Sequence, residues 1–199
     1  MVRISCVCMV DQTPHRGSVT APVAWPCGYI NMPLPQLKFS EGLTISAWAR
    51  LLTPNPWSTI FSLETPTVER SILWVGVEKD SKTLRVDIPG DVGGGGFIKS
   101  PFTGYDPQFA HVALVWDPEN AQTRLYLNGA QAAVGVIADD AFNITNRLTD
   151  ITLVIGPSKY DGHRVNSWDG QVVYTALCCM RCTNVLTAAF LDWRSPSLR

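Results

Sequence analysis

The stretch of sequence that decides the fold is HVALVWDPENAQTRLYLNG, residues 111–129. In its first half Val112, Leu114 and Trp116 share one face of an extended chain and the residues between them share the other, which is typical of a half-buried strand. DPEN then places Asp and Pro at the first two positions of a β-turn, and TRLYL returns as a second strand. Asn128 and Gly129 indicate a hairpin, because a type I′ turn needs positive φ at both central residues. AQAAVGV follows as a third strand, so the stretch predicts a β-meander.

Short segments on both sides of this meander repeat the period-two pattern. LTISAWAR (43–50), WSTIFSL (57–63), TLRVDI (83–88) and ITLVIG (151–156) alternate in the same way, and we expect Trp57, Thr59, Phe61 and Leu63 on one side of their strand. SILWVGV (71–77) is apolar on both faces, which favours a central, well-covered strand. The chain therefore predicts about ten strands, typical of a two-layer β-sandwich.

Two segments depart from the strand pattern. DVGGGGFIKSPFTGYDPQF (91–109) is expected to be a loop, because four consecutive glycines do not hold a strand. TNVLTAAFLDW (183–193) has apolar residues at helical spacing and predicts one short C-terminal helix. The fold prediction is thus an all-β, two-sheet antiparallel β-sandwich with a single helix near its end.

Composition limits the domain count and the class of partner. The chain has 199 residues, of which 46% are hydrophobic, so one core is expected: residues 1–18 as an N-terminal extension and 19–199 as the sandwich. Only 17% of the residues are charged and the formal net charge is -1, which gives no electrostatic reason to expect a nucleic-acid partner. No apolar run is long enough for a transmembrane helix. The first ten residues lack the full apolar region of a signal peptide, so the compartment stays open.

The order of these segments along the chain resembles that of a known protein family. GYINMP (28–33), LTISAWAR, HVALVWD, RLYLNG, ITLVIG and DGQV (169–172) together are similar to a laminin-G-like domain of the concanavalin A-like lectin/glucanase superfamily, from about Gly28 to about Trp193. The resemblance implies a jelly roll that binds glycans or proteins, and an extracellular or cell-surface location. Phe109 stands near the place where relatives have Trp. GQVVYTALCCMRCTNVLT (170–187) lacks acidic residues found in relatives and adds three cysteines.

Aromatic side chains beside loops are the candidate ligand-binding residues, because a flat ring matches the apolar face of a sugar ring. These candidates are Trp57, Tyr105, Tyr160 and Trp168. Packing over the ends of the sandwich is an equally open interpretation. Trp48, Trp74 and Trp116 alternate with strand residues and are expected in the core.

The resemblance also implies a possible Ca²⁺ site, because relatives often hold this ion with loop oxygens. The candidate ligands are Asp161, Asn166 and Asp169, with Asp139 and Asp140 as a second acidic pair. Ordinary polar turns are the favoured alternative. Asn143 begins the sequon NIT and is a candidate glycosylation site if the chain is secreted.

The sequence offers little for catalysis. A glycosidase needs two carboxyl groups a short distance apart. The nearest match is Glu78 with Asp80, which lysines flank and which is expected to be a solvated turn. His111 alternates with core residues and is expected to be packed or at an edge. We therefore expect that this protein is not an enzyme.

Six cysteines fall in three clusters: Cys6 and Cys8, then Cys27, then Cys178, Cys179 and Cys182. In jelly rolls of the type that the resemblance implies, the first and last strands are neighbours, so Cys27 is a candidate for a bridge to Cys178 or Cys182. A zinc site made by CVC and CMRC, and free buried thiols, stay open as alternatives.

Two functions from different classes follow. The first is a non-catalytic recognition module that binds a glycan or protein partner. The alternative is a structural or accessory subunit that uses the sandwich as a packing piece in a larger assembly. A polysaccharide hydrolase is a distant third.

Overall fold

The computed structural model describes residues 5–7, 29–34, 37, 39–52, 57–78, 82–87, 96–136, 149–160, 163–165, 170–179 and 186–188. Within these ranges the chain forms fifteen strands, numbered in chain order, and one short 3-10 turn at Phe39–Glu41. The strands build two large antiparallel sheets that share one apolar core. The predicted two-sheet antiparallel β-sandwich is confirmed.

One sheet has seven strands. Their spatial order is β1 (Ser5–Val7), β2 (Tyr29–Pro33), β11 (Thr152–Ile155), β4 (Ser58–Glu64), β5 (Leu73–Val77), β6 (Thr83–Asp87) and β7 (Phe97–Pro101). The strand β5 is buried along its whole length, as its two apolar faces predicted.

The other sheet has six strands, and a small two-stranded hairpin pairs with neither sheet. The six follow the order β10 (Ala130–Val136), β9 (Gln122–Leu127), β8 (Ala110–Asp117), β3 (Leu43–Leu51), β14 (Gly170–Cys179) and β15 (Leu186–Ala188). The hairpin consists of β12 (Ser158–Tyr160) and β13 (His163–Val165).

The predicted meander is the run β8–β9–β10 of the six-stranded sheet. Val112, Leu114 and Trp116 are completely buried in the core that the two sheets share. The indole Nε1 of Trp116 donates a hydrogen bond to the carbonyl oxygen of Phe39 at 3.1 Å, and the two rings meet edge to face at 5.3 Å. The largest core side chain thereby has its polar atom satisfied, as buried Trp requires.

The turns of the meander form where the sequence predicts them. The carboxylate of Asp117 accepts hydrogen bonds from the backbone N of Asn120 at 3.2 Å and from its Nδ2 at 2.8 Å. The bond from the Asn120 side chain is the main cause that holds the pKa of Asp117 below its usual value; burial acts in the opposite direction, and the backbone bond and Arg124 add to the lowering. Asn128 and Gly129 have φ of 52° and 83°, as a type I′ hairpin requires.

Trp48 corrects one core prediction. Its neighbours Ala47 and Ala49 are buried, whereas Trp48 is 43% exposed on the outer face of β3. The ring of His111 lies 5.1 Å away on β8, half-buried as predicted, and burial lowers the pKa of this imidazole. Period two already placed Trp48 on the polar side of its strand, so apolarity alone led to the wrong prediction.

Strands form within two segments for which the sequence predicted a loop and a helix. The strand β7 occupies part of the predicted 91–109 loop, because FIKSP resumes alternation directly after the glycines and pairs with β6. At Leu186–Ala188 the chain forms β15 instead of the predicted helix, and Thr187 lies opposite Ala176. Pairing with β15 satisfies backbone groups of β14 at Thr175–Leu177, a tertiary gain that overrides helical spacing at Leu186–Ala188.

The predicted adjacency of the first and last strands is wrong, since β2 and β14 belong to different sheets. Cys178 lies on β14 opposite Thr44. Cys27 and Cys182 lie outside the described residues, so the bridge and its alternatives stay predictions.

Candidate functional site

An exposed aromatic and charged surface lies on the outer face of the seven-stranded sheet. In β6 Leu84 and Val86 enter the core, so Arg85 faces outward on the opposite side of the strand. In β7 Phe97 and Lys99 are exposed in the same way. The register places Arg85 opposite Lys99 and Asp87 opposite Phe97. We call this surface the outer cluster; its members are Trp57, Trp74, Glu78, Arg85, Asp87, Phe97 and Lys99.

Trp57 reaches the outer cluster from the residue before β4. Its φ is 59°, and its ring lies 6.2 Å from that of Trp74. The pairing of β4 with β5 shifts between Thr59 and Phe61, so Thr59 contacts Trp74 while Phe61 enters the core. The predicted single face for Trp57, Thr59, Phe61 and Leu63 is therefore wrong, because a bulge interrupts the alternation.

Trp74 is the buried base of the outer cluster. Its indole Nε1 donates to Oγ1 of Thr59 at 2.7 Å, and this hydroxyl donates in turn to Oγ of Ser158 at 3.1 Å. The Trp74 ring lies against Gly76, where a Cβ would stand 2.4 Å from the ring and 2.3 Å from the carbonyl oxygen of Ser58. Only glycine leaves room for this ring to lie along the sheet.

Arg85 is the centre of the outer cluster. Its Nε donates to Oδ1 of Asp87, and its Nη1 donates to Oε1 of Glu78 at 3.0 Å. The guanidinium carbon lies 4.4 Å from the ring centre of Phe97 and 5.5 Å from that of Trp57. Both distances are within the range of cation–π contacts. Arg85 is thereby fixed between two carboxylates and two rings.

Glu78 and Lys99 complete the network. The Nζ of Lys99 lies 2.7 Å from Oε1 of Glu78 and 4.7 Å from the ring centre of Phe97. Burial raises the pKa of Glu78, but its bonds to Lys99 and Arg85 outweigh that effect, so its pKa lies below the ordinary value. The Glu78 side chain is only 13% exposed, so the prediction that it is solvated is wrong. Asp80 lies outside the described residues.

The chemistry of the outer cluster suits binding better than proton transfer. Phe97 is 53% exposed and Trp57 is 36% exposed, so solvent reaches two apolar rings beside fixed charges. Glu78, with its lowered pKa, stays ionised at neutral pH and is a poor general acid. Burial raises the pKa of Asp87, against the lowering effect of its hydrogen bond from Arg85, so the Asp87 carboxylate is already engaged by a cation. Rings for stacking, surrounded by hydrogen-bond donors and acceptors, are the usual composition of a binding surface.

The other candidate ligand-binding residues lie elsewhere. Tyr105 forms a bridge to Leu51 at the end of β3, is half-buried and packs edge to face on Phe102 at 5.3 Å. Its contacts favour the packing interpretation. Tyr160 ends β12 opposite His163, and Trp168 lies outside the described residues.

The candidate calcium and glycosylation residues fall outside the described part of the chain: Asp139, Asp140, Asn143, Asp161, Asn166 and Asp169. Among the residues that the structure describes, no group of three His, Cys, Asp or Glu side chains is placed to hold a metal ion. The calcium site stays a prediction.

Sequence reasoning missed most of the outer cluster. Alternation in TLRVDI placed Arg85 and Asp87 on the polar face, which was a usable signal. Phe97 and Lys99 were hidden in a segment predicted to be a loop.

In the described ranges, no helix has the length and apolarity needed to cross a membrane.

Comparisons with known proteins place these observations in a family context. A sequence model of the concanavalin A-like lectin/glucanases superfamily, Laminin_G_3, matches residues 27–175. No curated protein sequence matches the chain.

Several solved structures are similar. The CBM40 of Ruminococcus gnavus IT-sialidase, bound to α2,3 sialyllactose, has a TM-score of 0.57 and 18% identity, over 73% of this chain and 78% of that one. The heptameric SAP-like pentraxin of Limulus polyphemus has a TM-score of 0.56 and 20% identity, over 75% and 69%. The NanB sialidase of Streptococcus pneumoniae has a TM-score of 0.59 and 16% identity, over 77% of this chain but only 25% of the sialidase. At these identities the likeness concerns the fold.

Proposed function

Because the chain belongs to the concanavalin A-like lectin/glucanase superfamily, we propose that it is a non-catalytic recognition module that binds a glycan at the outer cluster. The observation that carries this proposal is the pair of exposed rings, Trp57 and Phe97, on either side of the charged centre at Arg85. Fold membership alone does not assign the ligand, so the argument rests on this surface.

The outer cluster offers the two kinds of contact that a sugar needs. The exposed part of the Phe97 ring, about half of the side chain, can pack against the apolar face of a pyranose ring. Asp87, with 44% of its side chain exposed, can accept hydrogen bonds from hydroxyl groups, and Lys99 can donate them. These groups stand on neighbouring strands, so their spacing is set before the ligand arrives, which lowers the entropic cost of binding.

One of the similar solved structures supports a glycan ligand in general. The CBM40 structure holds sialyllactose, a glycan, on a sandwich of similar fold. The absence of catalysis is proposed on chemical grounds, because Glu78 is neutralised by two cations and is unsuited to the role of general acid.

The test is binding to an array of immobilised glycans, followed by calorimetry on the best ligands. We expect Trp57→Ala and Phe97→Ala to weaken binding at least about tenfold, which corresponds to about 1.4 kcal/mol. Trp48→Ala is the matched control, because it removes a similarly exposed Trp from the other sheet. Equal loss in all three variants, or no binding by the parent chain, would refute the proposal.

A second candidate function is a structural subunit, and the strand β10 favours it. This strand, AQAAVGV, has no charged residue, and Val134 and Val136 are 51% and 78% exposed. In the described part of the chain β10 pairs with β9 on one side only, so it ends the sheet. Natural proteins usually protect such an edge with charge or proline. Native purification that recovers the chain inside a complex, and its release by Val134→Lys, would support this function.

A further inference from the structure

We infer that the glycan bound by the outer cluster is neutral, a pyranose chain without carboxylate or sulfate groups. This inference rests on the proposed function and specifies its ligand. It is carried by the balance of charge around Arg85, and by the fact that both carboxylates of the cluster contact this one guanidinium.

Charge at the described surface is balanced. Two cations, Arg85 and Lys99, stand against two carboxylates, Glu78 and Asp87, so the formal charge of these four side chains is zero. A site built for an acidic sugar places an unopposed Arg where the ligand carboxylate docks, because a bidentate pair gives the strongest contact. Here the Nε and Nη1 of Arg85 already donate to protein carboxylates.

An anionic ligand would meet repulsion at this surface. The Nε and Nη1 groups of Arg85 already donate to Asp87 and Glu78, so an anion that approached the remaining N–H groups of this guanidinium would lie beside both carboxylates, whose like charges would repel it. A neutral sugar has no such conflict. Its hydroxyl groups both donate and accept, so one sugar ring can donate to Asp87, accept from Lys99 and stack on Phe97 without breaking an ion pair.

The surroundings of the aromatic rings agree with this assignment. Phe97 already receives two cations, since the guanidinium of Arg85 and the Nζ of Lys99 lie 4.4 Å and 4.7 Å from its ring centre. These contacts hold both cations over the ring. The exposed part of Phe97 remains an apolar platform of fixed position, suited to an uncharged ring.

The experiment compares matched neutral and acidic ligands by calorimetry: lactose with 3′-sialyllactose, and a hexamer of β-linked glucose with a hexamer of galacturonic acid. In whichever of the two pairs the protein binds, we expect the affinity for the neutral ligand to exceed that for the acidic ligand at least about tenfold. Affinity for it should change little between low and high salt, since no ligand charge is screened.

Two variants make the test specific to the outer cluster. Asp87→Asn changes the net charge of the four side chains from zero to +1 and should shift the preference toward the acidic ligand about threefold or more. Lys99→Gln changes the net charge to −1 and should shift the preference toward the neutral ligand. Tighter binding of an acidic member by the parent chain would overturn the inference but leave the proposed function standing. Unchanged preference in both variants would place the site elsewhere and overturn it. Binding of neither pair, nor of any glycan on the array, would refute both.

Discussion

The hydrogen-bonded chain beneath the outer cluster allows one prediction to be worked out in detail. Thr59→Val replaces a hydroxyl by a methyl group of nearly the same size. It removes the acceptor of the Trp74 indole Nε1, at 2.7 Å, and the donor to Ser158, at 3.1 Å. Thr59 is completely buried and Trp74 nearly so, so water does not readily replace the lost acceptor.

The expected cost follows from that burial. A buried donor left without a partner costs about 1–3 kcal/mol of the free energy of unfolding. The new methyl group gains some apolar contact but leaves the indole N–H unsatisfied. We therefore expect Thr59→Val to lower the free energy of unfolding by about 1–3 kcal/mol. The measurement is urea denaturation monitored by tryptophan fluorescence.

A double-mutant cycle with Trp74→Phe isolates the hydrogen bond. In the Trp74→Phe background the N–H is gone, so Thr59→Val should cost about 1 kcal/mol less than in the parent chain. Thr44→Val, on the half-exposed outer face of β3, is the matched control and should change stability by less than about 0.5 kcal/mol. A Thr59→Val variant as stable as the control, with no coupling to Trp74, would refute the reasoning.

Three further predictions concern packing and charge. Gly76→Ala should destabilise the chain by about 1–3 kcal/mol, because its Cβ would meet the backbone of Ser58 at 2.3 Å; a neutral effect in urea denaturation would contradict the close packing. Trp116→Ala should cost about 3–5 kcal/mol, because it empties the largest core site; calorimetric unfolding at an unchanged temperature would contradict this. The lowered pKa of Glu78 contributes stability that is present above its ordinary value of 4.5 and is lost as pH falls through the folded-state pKa. Glu78→Gln should therefore flatten the dependence of stability on pH in that acidic range, and a dependence equal to that of the parent chain would contradict the assigned ion pairs.

The fold was predictable where its signals are local. The meander from Ala110 to Val136 depends on alternation and on two turns, and each is specified by adjacent residues such as Asn128 and Gly129. The strand at Leu186–Ala188 was not predictable in this way, because an edge of β14 stabilises it from a distance in sequence. Tertiary pairing then outweighs a weak local preference.

The candidate site was predictable only in part. Trp57 was identified as an aromatic residue beside a loop, but its partners Trp74 and Arg85 come from β5 and β6. The rest of the cluster comes from β7, and only the register brings these strands together. The bulge after Thr59 leaves no mark in the sequence, although it decides which side chain supports Trp74. Phe97 and Lys99 follow a run of glycines, and that run obscured a five-residue strand.

The central claim is that the outer cluster binds a glycan. It is tested most directly by a two-dimensional NMR titration with the glycan that binds best on the array, in which the indole N–H signals of the seven tryptophans are followed. Each signal is assigned by a Trp→Phe variant. We expect the Nε1–H signals of Trp57 and Trp74 to shift in proportion to saturation, while those of Trp48 on the opposite sheet and Trp116 in the core stay in place. Shifts at Trp48 with none at Trp57 and Trp74 would contradict the claim.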